Sequence, residues 1–247
     1  MKKLVAYVTA GFPDSNFTID LALALKEAGV DSLELGIPFS DPVADGPIIE
    51  EANLKALQSG FSLDLLMEIS KKVAPIIDTL WMGYFNPFYH KGMPFFTDKA
   101  LEYGVSGFII PDLPHEEAKL YKPLMDKANL SLISFVAPTC SDERIASIVK
   151  DSKKFIYLVA YAGITGSGAS EDLQGTISSI RRHSDTPIYV GFGVNEKTAK
   201  EKVQGVDGVI VGSAFVKILL DDTLSYTQKI SSISTMAKNI KEIINGA

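Results

Sequence analysis

Short, nearly unbroken apolar runs recur along the chain, and most are followed by a segment with apolar positions at helical spacing. The runs are LVAYVTA (4–10), SLELGI (32–37), LWMGYF (80–85), GFIIP (107–111), LISFVAP (132–138), FIYLVAY (155–161), PIYVGFG (187–193) and GVIVGS (208–213). Unbroken apolar character, rather than alternation, marks a parallel strand covered on both faces. Between the runs, IDLALALKEAG (19–29) and TDKALEYG (97–104) each stop at a glycine suited to a helix C-cap. SDERIASIVKDS (141–152) opens on residues that can cap free N–H groups. HEEAKLYKPLMDKA (115–128) and NEKTAKEKVQG (195–205) follow the same plan. After the second run the pattern predicts two helices, near 48–58 and 63–73, and the chain ends in an amphipathic stretch, 232–247.

Eight alternations of strand and helix in 247 residues match the size of a (β/α)₈ barrel, an α/β fold. No G-x-G-x-x-G follows the first run, and a doubly wound sheet usually has fewer strands. No linker, low-complexity tract or composition break divides the chain, so residues 1–247 are expected to form one barrel domain.

Composition changes this picture little: 46% hydrophobic and 22% charged residues suit a chain with a large core. The single cysteine, Cys140, leaves no internal disulfide or CxxC motif, which favours a reducing, cytoplasmic setting. The opening MKKLVAYVTAGFP has no A-x-A cleavage pattern and reads as a strand rather than a leader. No apolar run approaches the ~18 residues of a membrane span, so none is expected. A net charge of −6, with no basic cluster beyond Arg181–His183, argues against nucleic acid.

In such barrels the chemistry sits at the C-terminal ends of the strands. There the last three runs deliver glycines: Gly163 and Gly166, then Gly191 and Gly193, then Gly212. Glycine brings backbone N–H groups close to a ligand. Ser213 opens a short predicted helix whose positive end would face the same point, a pattern suited to phosphate. Glycines at such turns also serve turn geometry alone.

Glu34 lies within an apolar run, where a buried carboxyl has a raised pKa and can act as a general acid near neutral pH. A structural ion pair or a hydrogen-bonded core glutamate is the alternative. Asp45 follows in a loop stiffened by Pro38, Pro42 and Pro47, as a second candidate acid, a turn residue or the cap of the next helix. Asp41 reads first as a turn residue. Tyr7, Met82, Tyr84, Ile109, Tyr157 and Phe192 fall near strand ends, where they would line a pocket for a flat apolar group or simply pack the barrel. No lysine ends a strand, which disfavours a Schiff-base aldolase. His90, His115 and His183 lack metal-ligand spacing, so no metal is expected. What remains is acid–base chemistry by carboxylates on a substrate bearing phosphate.

LELGIPFSDPVADGP (33–47), with YVTAGFPD before it, YFNP and PDLP in the middle, and AGITG, GFGV and GSAFV after it, closely resembles the tryptophan synthase alpha subunit family, in order along essentially the whole chain. The resemblance implies cleavage of indole-3-glycerol phosphate to indole and glyceraldehyde 3-phosphate, without cofactor in this chain. It implies a beta subunit, carrying pyridoxal phosphate, as partner in an alpha2beta2 assembly that receives the indole. Glu34 and Asp45 match the family's catalytic carboxyls. Gly166, Gly193, Gly212 and Ser213 fall at its phosphate site, and Tyr157 and Phe192 in its indole pocket. Thr165 falls in the loop that closes over substrate, and Asp41 at the face toward the partner. Two departures stand out. The chain begins almost at the first strand, lacking most of the family's extra N-terminal helix, and the loop after the sixth run reads AYAGITG, with Ala160 and Tyr161 in place of the usual residues. Other readings are a different phosphate-binding barrel such as an epimerase or isomerase, a free-standing lyase, and a non-catalytic activating subunit.

Overall fold

The computed structural model describes residues 1–159 and 173–246. Among these, parallel strands run in the order β1 (Lys3–Thr9), β2 (Ser32–Gly36), β3 (Asp78–Met82), β4 (Gly107–Ile109), β5 (Ser131–Leu132), β6 (Ser134–Val136), β7 (Ile156–Val159), β8 (Ile188–Gly191) and β9 (Gly208–Val211). The sheet order is β5-β4-β3-β2-β1-β9-β8-β7-β6. Its two ends are halves of one apolar run. β5 pairs with β4 and β6 with β7, and the Ile133 N–H between them donates to the Phe108 carbonyl at 2.9 Å. The sheet therefore closes on itself, the (β/α)₈ barrel that the eight runs predict.

Around it lie α1 (Ser15–Glu27), α2 (Pro47–Gln58), α3 (Leu63–Val73), α4 (Phe85–Lys91), α5 (Met93–Tyr103), α6 (His115–Lys127), α7 (Asp142–Val149), α8 (Leu173–His183), α9 (Ala199–Lys202), α10 (Ser213–Leu219) and α11 (Tyr226–Asn245). Outward strand residues such as Leu4, Leu33, Trp81 and Phe108 are fully buried against these helices. The Trp81 indole N–H donates to Ser70 on α3 at 2.8 Å. Inside the barrel Val5, Leu80, Ile109, Ile133, Phe155 and Ile210 pack together beneath Tyr157. At the opposite end from the strand termini, Asp31 accepts from the Leu4 N–H and from Lys3 and Lys241, tying β1 to α11.

Several elements differ from the pattern in the chain. The third run stops at Met82, because Gly83 and Tyr84 lead into α4, whose first N–H, at Phe85, donates to Asp112 Oδ1 at 2.7 Å. The helix expected across 195–205 shrinks to the four residues of α9. Asn195 and Thr198 engage the backbone before it, through Lys197 N–H to Asn195 Oδ1 at 2.9 Å and Thr198 Oγ1 to Gly193 O at 2.7 Å. Such local bonds compete with helix formation. Ala160 and Tyr161, at the end of the sixth run, lie outside the described residues, as do Gly163, Thr165 and Gly166.

Candidate active site

At the C-terminal end of the barrel a cavity of about 130 Å³ opens between β1, β2, β7, β8 and β9. Both candidate carboxyls face it. Glu34, in the middle of β2, is 1% exposed, and its Oε1 has no hydrogen-bond partner among the described residues. Burial, and after it the charge of Asp45, raises its pKa to about 8. No cation among the described residues pairs with it, and its Oε1 accepts no hydrogen bond from them, so neither structural alternative is supported.

Asp45 reaches the same cavity from the loop after β2, with its N–H on the Pro42 carbonyl at 2.9 Å. It does not cap α2: Gly46 takes that place without a side-chain bond, and Pro47 fills the first turn. Burial raises the Asp45 carboxyl to about 6, against the pull of a hydrogen bond from Tyr84 and with a smaller push from Glu50. Asp45 thus ionises first. Its charge is present when Glu34 titrates, whereas Glu34 is still neutral when Asp45 does.

Tyr84 holds the loop that carries Asp45. Its ring stacks on Phe39, with centroids 5.4 Å apart, and its hydroxyl accepts the Ala44 N–H at 2.9 Å. The same hydroxyl bonds Asp45. Tyr84, expected from its position among the pocket-lining residues, is therefore a clamp on the loop and does not line the cavity. Ile109 also departs from that expectation: fully buried in the barrel interior, it supports the cavity from below.

Tyr7, Met82, Tyr157 and Phe192 do line the cavity. Tyr157 stacks on Phe135 at 4.8 Å and meets the edge of Phe192 at 6.4 Å. Two glycines make room for the tyrosines, since a Cβ on Gly36 would lie 2.3 Å from Tyr7 Oη and one on Gly191 2.3 Å from Tyr157 Oη. Phe192 has φ of 73°, in the left-handed region that a bulky side chain rarely enters, and Gly193 follows with φ of 70°. This paired turn sets the Phe192 ring over the opening and exposes the Gly193 backbone to it.

Gly193, Gly212 and Ser213 also line the cavity. Gly212 is the N-cap of α10 and carries no capping side chain, so the first N–H groups of that helix have no partner from it. Sequence reading missed Ile49, Val194 and Ile210, which also face the cavity. Ile49 comes one turn into α2, a place that apolar spacing marks only as core. Asp41 stands exposed at the rim, bonded by Ser40 Oγ at 2.5 Å, beside Val43, which is 83% exposed.

A larger cavity, about 270 Å³, lies between α6, α7 and the fifth run. Its carboxylates, Asp126 and Asp151, are both exposed, and Asp126 is paired with Lys122 and Lys153. Among the described residues no three His, Cys, Asp or Glu side chains gather as metal ligands. The two carboxyls of the smaller cavity, Glu34 buried and Asp45 half-buried with raised pKa values, make it the candidate reactive site.

The family model described as tryptophan synthase alpha chain matches residues 1–245. The tryptophan synthase alpha chain of Wolinella succinogenes is 61% identical over 246 residues, covering 99% of this chain and 96% of that protein. Among solved structures, the alpha subunit from Legionella pneumophila superposes with a TM-score of 0.89 at 30% identity, covering 100% of this chain and 94% of that one. The alpha subunit from Campylobacter jejuni does so with a TM-score of 0.85 at 33% identity, covering 95% of each chain.

Proposed function

The chain belongs to the tryptophan synthase alpha chain family, and from that premise we propose which residues carry the cleavage of indole-3-glycerol phosphate to indole and glyceraldehyde 3-phosphate. The observation that carries the assignment is the pair of carboxyls in one cavity, Glu34 buried and held neutral to about 8 and Asp45 half-buried and ionised above about 6.

Glu34 is the general acid. Its proton goes to C3 of the indole ring, which makes the ring an acceptor for the electrons of the breaking carbon–carbon bond. The adjacent glycerol hydroxyl then gives its proton to the Glu34 carboxylate as the aldehyde forms, so the acid is restored and no proton is gained or lost. Asp45, as a carboxylate, accepts the indole N–H and offsets the positive charge that develops on the protonated ring. Tyr7, Met82, Tyr157 and Phe192 hold the flat ring, with Ile109 and Tyr84 as supports. Gly193, Gly212 and Ser213 offer backbone N–H groups and a hydroxyl to the phosphate. Gly166 and Thr165 are assigned to phosphate and to closure by family pattern alone.

Family membership implies a beta-subunit partner. Asp41, exposed at the rim, is placed on the face toward it, in an alpha2beta2 assembly that receives the indole. Pyridoxal phosphate is assigned to that partner and no cofactor to this chain. No helix among the described residues is long and apolar enough to cross a membrane, and the place of action proposed is the cytoplasm.

The test is indole release from indole-3-glycerol phosphate by the purified chain, alone and with a beta subunit. The expected result is weak release that rises strongly with the partner. Glu34→Gln should lower cleavage by about 10²–10⁴ while leaving activation of the beta subunit intact. Undiminished cleavage by that variant would sink the assignment, and fast release indifferent to the partner would mean a free-standing lyase.

A further inference from the structure

Tyr7 and Glu34 are Cα partners in the β1–β2 ladder, so their side chains leave the sheet on the same side, into the same cavity. Tyr7 does not point straight across. Its hydroxyl occupies the space that a side chain at Gly36 would take, one inward position beyond Glu34 along β2. It therefore stands on the Asp45 side of Glu34. Glu34 Oε1, meanwhile, is buried with no hydrogen-bond partner among the described residues.

We propose that the Tyr7 hydroxyl is a positioning group of the cleavage reaction, donating to the Glu34 carboxylate that appears when the ring takes its proton. This rests on Glu34 being the acid. An ionised carboxylate only accepts hydrogen bonds, and a neutral phenol in the same cavity is a donor in every state of the cycle. Burial, and next the Asp45 charge, keep Tyr7 neutral far above its ordinary titration point. The bond is absent while Glu34 waits protonated and forms as charge develops, so it favours the transition state over the bound substrate. The other titratable groups facing this corner are Asp45 from the loop after β2, Tyr84 before α4, Tyr157 on β7 and, behind Asp45, Glu50 on α2.

The test is Tyr7→Phe, which removes one oxygen and keeps the ring. Hydrogen bonds to charged groups imply a fall in kcat of about 10- to 100-fold, with KM within about twofold. The alkaline limb of the pH–rate profile should also move upward, because Glu34 then holds its proton more tightly. That limb is independent of how much of the variant is folded. An unchanged limb, or a loss confined to KM, would overturn the role of Tyr7 and leave the acid in place. Undiminished cleavage by Glu34→Gln would instead remove the acid itself, so the two failures are distinguishable.

Discussion

Replacing Glu34 by glutamine is expected to stabilise the folded chain, by an amount that grows with pH. Glu34 keeps its proton to about 8, where an ordinary glutamate loses it near 4.5. Between those values the folded chain holds a proton that the unfolded chain has released. Each pH unit upward then removes about 1.4 kcal/mol of stability. What a raised carboxyl contributes is whole below the unfolded value and is lost as pH climbs through the folded one. The loss reaches about 3 kcal/mol at pH 7 and approaches about 5 kcal/mol above pH 8. Glutamine has the same shape and never ionises, so it escapes the loss. Thermal unfolding of both proteins at pH 5, 7 and 8.5 measures it. For a chain of this size each kcal/mol moves the midpoint by about 2–4 °C. The two proteins should melt within a few degrees of each other at pH 5 and roughly 6–12 °C apart at pH 7, with the variant higher. Every other group titrates in both, so the pH dependence of the difference belongs to Glu34. A gap of equal size at pH 5 and pH 8.5 would refute a raised Glu34.

Indole release should follow a bell against pH, falling below about 6 as Asp45 takes a proton and above about 8 as Glu34 loses one; a profile flat from pH 5 to 9 would contradict the acid–base assignment. Tyr84→Phe deletes a donor that holds Asp45 ionised, so the acid limb should move upward while the alkaline limb stays. Gly212→Ala is expected to fold normally, because its added Cβ would meet nothing nearer than 3.4 Å and its φ of −118° suits alanine. Its KM should nevertheless rise several-fold, and an unchanged KM would place the phosphate elsewhere.

The barrel was legible because its strands are buried on both faces, which leaves unbroken apolar runs that need no partner information to recognise. Glu34 stood out for the same reason, as a charge in a place where charge is costly. The capping helix ends were legible too, with Ser141 accepting the Arg144 N–H at 3.3 Å as SDER suggests. What depended on distant pairs was not. Tyr84 bonds Ala44, 40 residues away, and Asp112 caps α4 from 27 residues beyond Phe85. YFNP and PDLP therefore read as motifs without revealing that they lock two loops of the site. Ile109 and Tyr84 sit at strand ends like the pocket residues, and only the direction of each side chain separates lining from support. The join between β5 and β6 at Ile133 rests on its N–H reaching back to the Phe108 carbonyl, again a bond between strands.

Two carboxyls with nearly equal ordinary values end up with opposite states at neutral pH, and the difference is made by what carries each of them. A strand in a closed barrel buries Glu34 and leaves its Oε1 without a partner among the described residues, so the proton is retained. A loop fixes Asp45 nearer the rim, with the Tyr84 hydroxyl on it, so burial raises its pKa less. With pKa values of about 8 and about 6, roughly nine-tenths of Glu34 is protonated and nine-tenths of Asp45 ionised at pH 7. Exchanging the two residue types would not reverse this, because the order is set by position rather than by side chain. Glu34→Asp should therefore keep a raised carboxyl on β2 yet leave its proton about one methylene short of the ring. Cleavage by that variant should be weak with the bell still centred near pH 7, whereas a bell displaced toward acid would show that the glutamate side chain itself, and not its burial on the strand, sets the proton.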